Sequence, residues 1–223
     1  MKVAIHQPNN LPYLGFFHKM LHSDIFVIHD DAQFNDGDFQ HRNRIRTFDG
    51  WTWLTVPVNQ SEIPINEILI KNHINIGKRS WNKAHFETIA GWYKKSPYFS
   101  SYEDELRRIY DGKYDKLIDF NMVLINFLIK AFDIDIKIDY STNYELNSKR
   151  TQRIVDTVRA VGGNVYFSGP MGKDYMDMSL FTDVSVEFQQ FEHPVYKQCY
   201  DGFEANMSAI DALFNLGELP FKE

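Results

Sequence analysis

One cysteine among 223 residues, Cys199, leaves no partner for an intrachain disulfide, which excludes a disulfide-stapled secreted domain and points to a reducing cytoplasm. No apolar run approaches the ~20 residues needed to span a bilayer. The longest, from Met122 to Ile129, is broken by Asn126, so no membrane insertion is expected. Met1 and Lys2 lead straight into a β-prone run, without the apolar stretch and small-residue cleavage site of a signal peptide. A formal charge of -6 and a pI near 5.7 give no basic footprint, so a nucleic-acid backbone is not expected as the main partner. Repeats, low-complexity tracts and an interdomain linker are absent as well. With 43% hydrophobic and 24% charged residues, the composition is that of a globular chain, and its length fits one domain over residues 1–223.

What is present reads as a mostly parallel α/β sheet. Lys2 to His6 has strand composition, and Gln7, Pro8, Asn9 and Asn10 are turn formers that end it. Asn10 is placed to cap a following helix whose inner face carries Leu14, Phe17, His18 and Leu21. Asp24 to Ile28 reads as a second buried strand running into His29, Asp30 and Asp31. A polar loop from Gln33 to Arg42 precedes a hairpin, Asn43 to Arg46 and Trp51 to Val56, joined through Asp49 and Gly50. Ile65 to Ile70 is a further strand candidate. A helical section then fills about 78–132, with Trp81, His85, Ile89 and Trp92 on one face and a buried stripe of Leu117, Phe120, Leu124, Phe127, Leu128 and Ala131. A second strand, helix, strand module spans Ile134 to Ser168; its helix is expected to be capped by Ser148 and to stop at Gly162 and Gly163. Val184 to Phe188 and Met207 to Leu216 read as a last strand and a closing helix. The expected fold is α/β and Rossmann-like, with flanking helices, a β-hairpin and a helical insertion.

His6, Gln7, Pro8 and Asn9, then Leu11 to Phe17 with Lys19, open a series that continues through Asp30 to Phe34, Arg42 to Arg44, Trp53 to Pro57, Ser168 and Gly169 with Gly172, and His193 to Tyr196. In that order these motifs resemble the WbqC-like family, bacterial proteins found among O-antigen and other surface-polysaccharide genes. The resemblance spans essentially the whole chain. It implies a surface-polysaccharide context, and for the activity a transferase adding glycine to an amino sugar of the O-antigen.

The candidate site gathers where strands end, since ligands of open parallel sheets bind beyond their carboxyl ends. His6 can serve as a general base, as can His193; the alternative for His6 is a histidine that locks its turn. Gln7 and Asn9 offer carboxamides to sugar hydroxyls or a carbonyl, and Asn43 or Asn9 would steady a carbonyl oxygen. Adjacent strand residues point to opposite faces, so Asp30 and Asp31 are not expected to share a metal; Asp30 is expected to orient a basic group or a ribose hydroxyl. Arg42, Arg44 and Arg46 alternate, sharing a face suited to pyrophosphate or carboxylate, or else merely solvated. Gln33 lies in the loop over the strand ends. Ser168, Gly169 and Gly172, followed by Tyr175, form a small-residue turn where backbone can approach a ligand, although phosphate-loop and nucleophile-elbow spacings are both absent. Tyr196 closes the pocket from the C-terminal side.

The leading expectation is a cytoplasmic transferase with a nucleotide-linked sugar as substrate. Its acyl donor is open among a charged transfer RNA, a carrier protein and an adenylate, and its cofactor is unknown. A nucleotidyl transferase and a non-catalytic sugar-binding or scaffold protein are the alternatives.

Overall fold

The computed structural model describes residues 1–59 and 62–221. In chain order its elements are β1 (Lys2–His6), α1 (Leu14–Leu21), β2 (Ile25–Ile28), β3 (Arg42–Thr47), β4 (Gly50–Thr55), β5 (Asn75–Ile76), β6 (Arg79–Ser80), α2 (Trp81–Tyr93), α3 (Phe99–Asp111), α4 (Leu117–Ala131), β7 (Lys137–Tyr140), α5 (Arg150–Ala160), β8 (Val165–Ser168), α6 (Gly172–Tyr175), β9 (Ser185–Phe188) and α7 (Ile210–Leu216). They form two units, each assembled from separated stretches of chain. The sheet unit comprises Met1–Gln7, Gly15–Ala32 and Ile134–Glu192, and the helical unit Pro8–Leu14, Gln33–Asp133 and His193–Glu223. No helix among the described residues is long and apolar enough to cross a membrane.

In the sheet unit five parallel strands run in the order β7-β2-β1-β8-β9, a Rossmann-like arrangement. The inner strand β2 is buried at all four positions, as expected for a parallel strand covered on both faces, while the edge strand β9 alternates exposed Ser185 and Glu187 with half-buried Val186 and Phe188. Val3, Ile5, Val27, Val155 and Val158 meet in the core under α5. The module from β7 to β8 therefore does not join neighbours: it crosses over β2 and β1. Helix α1 is buried far beyond the face of Leu14, Phe17, His18 and Leu21, because Phe16, Lys19 and Met20 are buried too.

The helical unit holds the β3-β4 hairpin, in which Thr47 pairs with Gly50, and helices α2, α3, α4 and α7. Tyr93 and Phe99 both meet Phe214 of α7, with ring centroids 5.2 and 5.1 Å apart, and each such buried ring contributes about 1.5–3 kcal/mol. The strand expected over Ile65 to Ile70 is replaced by a 3-10 turn, Ile65–Glu67, and by isolated bridges of Ile70 with Val58 and Leu69 with Lys116. The buried pair Ile65 and Ile68 is spaced by three, the period of that turn rather than of a strand.

Two expected caps are not formed. Helix α5 starts with Lys149 at its N-cap and no side-chain cap bond, and Asn10 spends its carboxamide on Asn121 instead of on a helix end. The C-terminal stop of α5 is as expected, with Gly162 at φ 78°.

Candidate functional site

Strand β1 is the topological switch point of the sheet: the chain leaves it for β2 and β7 on one side and for β8 and β9 on the other. It pairs in parallel with β8 through Ala4 and Phe167, so His6 closes β1 and Ser168 closes β8 at the same carboxyl edge of the sheet. Gln7 follows the one strand in sequence, and Gly169 and Gly172 follow the other.

His6 Nδ1 lies 2.9 Å from the Gln7 carbonyl oxygen. That oxygen can only accept, so Nδ1 carries the proton and Nε2 keeps its lone pair. Phe16 meets the ring edge-on at 4.9 Å. Burial, and then the charge of Lys19, lower the His6 pKa from 6.5 to about 3, so the ring is neutral throughout the physiological range.

Lys19 is the residue that the sequence reading quoted but gave no role. It is 3% exposed, its Nζ donates to the Ile5 carbonyl at 2.9 Å and lies 5.9 Å from the centre of the Tyr166 ring. Burial pulls its pKa down to about 7. The signal that could have found it is a lysine on a helix that is otherwise apolar on nearly every side.

Across β8, the Ser168 hydroxyl sits where a Cβ on residue 172 would fall, so only glycine lets this turn close, which it does through the Gly172 amide to the Gly169 carbonyl at 3.0 Å. Tyr175 stands exposed just after it. The Gln189 amide donates to the Gly15 carbonyl at 2.7 Å and lies 3.0 Å from His18 Nδ1, tying the end of β9 to α1.

Asp30 and Asp31 are spent inside the sheet unit. Asp30 accepts from Ser141 Oγ at 2.9 Å, from Thr142 N at 3.1 Å and from Thr142 Oγ1 at 2.6 Å, while Asp31 takes Arg153 and Ser141. These bonds lock the end of β2 to the turn after β7. No group of three or more His, Cys, Asp or Glu side chains among the described residues is arranged to hold a metal ion.

The remaining expected residues lie in the helical unit. Both Nδ2 hydrogens of Asn43 are used, on the Asn10 and Leu11 carbonyls at 3.1 and 2.7 Å, and its Oδ1 accepts from Arg44 N. Asn43 therefore braces the loop at Asn10 and Leu11. Asn9 is buried, and Gln33 is exposed and bridged to Pro64. His193 Nδ1 donates to the Pro194 carbonyl at 3.0 Å, and burial lowers its pKa. The Tyr196 hydroxyl donates to buried Asp211 at 2.7 Å, alongside Tyr93 and Gln198.

The three arginines of the hairpin do share a face, as their alternation requires, but they divide in use. Arg46 is buried and saturated by the carbonyls of Thr47, Gly50 and Asp201 and by Gln198. Arg42 lies 4.3 Å over Trp53, and Arg44 lies 5.1 Å over Trp51 and 5.8 Å from Trp53. Each also donates to a backbone carbonyl, Arg42 to Gly37 and Arg44 to Asn206, and a stacked guanidinium of this kind can fork onto a phosphate or carboxylate with its remaining N–H groups.

The profile of a known family matches residues 7–222, nearly the whole chain. The chain belongs to the WbqC-like protein family. The uncharacterized protein Rv1507c of Mycobacterium tuberculosis is 33% identical over 223 residues, covering 97% of this chain and 94% of that protein. No solved structure matches. WbqC-like membership associates the chain with surface-polysaccharide gene clusters.

Proposed function

We propose that the protein is a cytoplasmic transferase of surface-polysaccharide precursor synthesis, moving an aminoacyl group, glycyl in the simplest case, onto the amine of a nucleotide-linked sugar. The observation that supports this reading is the neutral His6 at the end of the switch-point strand, its Nδ1 anchored on the Gln7 carbonyl and its Nε2 lone pair left to act. The sugar amine adds to the acyl carbon, a C–N bond forms, and the bond from that carbon to the donor's carrier breaks. One amine proton passes to His6 Nε2 and from there to the departing group.

With a pKa of about 3, His6 is too weak a base to strip a free ammonium. The amine enters neutral and becomes acidic enough for His6 only after it has added to the carbonyl. In the helical unit, Arg42 and Arg44 on the hairpin offer guanidinium groups to an anionic ligand.

The test is product mass after incubation with nucleotide-linked amino sugars and a panel of acyl donors, charged glycyl transfer RNA included. A glycine-sized gain is expected, with turnover reduced about a hundredfold by His6→Ala and KM raised by Arg44→Ala. A gain that His6→Ala leaves intact would remove His6 from the chemistry.

A nucleotidyl-transfer reading is favoured by the strand order alone, since such sheets hold nucleotides at the switch point. Pyrophosphate release from a nucleoside triphosphate, with no acyl transfer from any donor, would establish it instead.

A further inference from the structure

The hairpin of the helical unit has one open edge. Val56 N donates to the His41 carbonyl at 2.8 Å, which continues the register in which Asn43 faces Leu54, Ile45 faces Thr52 and Thr47 faces Gly50. Bonded and non-bonded pairs alternate along an antiparallel ladder, so these pairs exchange the ladder bonds and the backbone groups of Trp51, Trp53 and Thr55 turn to the outer side of β4. The outward groups of β3 are engaged: Arg46 N donates to the Tyr93 hydroxyl at 2.9 Å, and the Arg44 carbonyl accepts from Ser208 N at 2.8 Å. On β4, the Thr55 carbonyl takes the His85 imidazole. The N–H and C=O of Trp51 and of Trp53 have no partner among the described residues, and no third strand joins the hairpin. Backbone groups are not retained unpaired away from water, so these four face solvent, beside a Trp51 side chain that is 42% exposed.

Folded proteins blunt open edges with charge or proline. The outer strands of the parallel sheet follow this rule, β7 with Lys137 and Asp139 and β9 with Glu187. Strand β4 reads Gly, Trp, Thr, Trp, Leu, Thr, with neither device. Its aromatic and β-branched residues favour pairing.

The pattern of free groups names the occupant. When a second β4 is laid antiparallel with a two-fold axis at Thr52, Trp51 of each copy faces Trp53 of the other, and each such pair exchanges two hydrogen bonds. All four free groups of each copy are then used, and the pairing stops where His85 already holds Thr55. The charges agree as well. A row across the four strands reads Arg44, Trp53, then Trp51 and Arg46 of the second copy, so two indoles keep the guanidinium groups three strand spacings apart, about 14 Å and beyond the screening length of about 8 Å. Thr52 meets Thr52 across the axis, a favourable cross-strand pair. We infer that the chain forms a two-fold dimer by pairing β4 with β4 of a second copy, which makes a four-stranded antiparallel sheet. The pairing uses an edge and leaves the arginine-bearing face open, so it does not depend on the transferase reading.

Sedimentation equilibrium of the full-length protein tests the mass. Twice 26.3 kDa is expected, with a dimer Kd of about 10 μM or below. Trp53→Pro removes an outward N–H and no ladder bond, so it should keep the circular dichroism of the folded chain and raise the Kd at least about tenfold. Cross-linking in a Cys199→Ser background reads the register. Thr52→Cys, at the axis, should form an intermolecular disulfide on oxidation, and Thr55→Cys, outside the paired stretch, should not. A monomer at about 100 μM would overturn the inference and leave the edge to an extended segment of another protein. A dimer that Trp53→Pro leaves intact, or one that cross-links through residue 55 and not through residue 52, would overturn it too.

Discussion

Asn121→Ala is expected to lower the unfolding free energy by about 4 kcal/mol, one of the two largest effects foreseen for this protein. Asn121 is fully buried in the first half of α4, and both Nδ2 hydrogens and one lone pair of Oδ1 are in use. Its Nδ2 donates to the Pro8 and Gln40 carbonyls, both at 2.7 Å, and its Oδ1 accepts from Asn10 at 2.9 Å. Truncation leaves two buried carbonyls and one buried amide unsatisfied, each costing about 1–3 kcal/mol, with some of the sum recovered by relaxation. Denaturant unfolding of Asn121→Ala beside Asp119→Ala, an exposed change on the same helix, isolates the effect. A loss below about 1 kcal/mol in Asn121→Ala would mean that the Pro8 to Leu11 loop is held by other contacts.

Acidification from pH 7 to pH 5 should cost a similar amount. Burial lowers the pKa of His6 from 6.5 to about 3 and that of His85 from 6.5 to about 4. Between those values and 6.5 the unfolded chain binds protons that the folded chain refuses. The stability they contribute is therefore complete above the unfolded pKa and is lost as the pH falls below it. Each histidine accounts for about 2 kcal/mol between pH 7 and pH 5, at about 1.4 kcal/mol per pH unit. His18 shifts in the same sense but is more open to solvent, and Asp211, raised by burial, works in the opposite sense. Lys19, lowered from 10.5 to about 7, adds nothing in this window because both states hold its proton below pH 7; its effect is a gain in stability between about 7 and 10.5. Denaturant unfolding at pH 5, 6 and 7 measures the slope, and His85→Gln should remove about 2 kcal/mol of the loss between pH 7 and pH 5. An unchanged slope in that variant would show that His85 titrates alike in the folded and unfolded chains.

The same buried groups mark the limit of what could be read from residues in order. Strands β1, β2 and β8 stood out because apolar and β-branched residues run unbroken between turn formers, and the hairpin because Asp49 and Gly50 join two β-prone arms. The stripe of α4 likewise follows from its spacing. Ile65 to Ile70 misled because isoleucine has strand propensity, while its first half closes as a 3-10 turn and only Leu69 and Ile70 form isolated bridges.

For the candidate site, the ends of β1 at His6 and of β8 at Ser168 were legible, since turn formers follow both. The fates of Asp30 and Asn43 were not. Asp30 meets Ser141 and Thr142 more than a hundred residues away, and Asn43 finds carbonyls some thirty residues back, so neither partner has any signature near the residue itself.

The sequence by itself determined the parallel α/β class, the family and the clustering of polar residues at strand ends, because apolar periodicity and turn chemistry are local properties of the chain. Tertiary structure alone decided which polar groups remain available for chemistry. Hydrogen-bond partners distant in the chain engaged Asp30, Arg46 and Asn43, and burial moved the pKa values of His6 and Lys19 far from their ordinary positions.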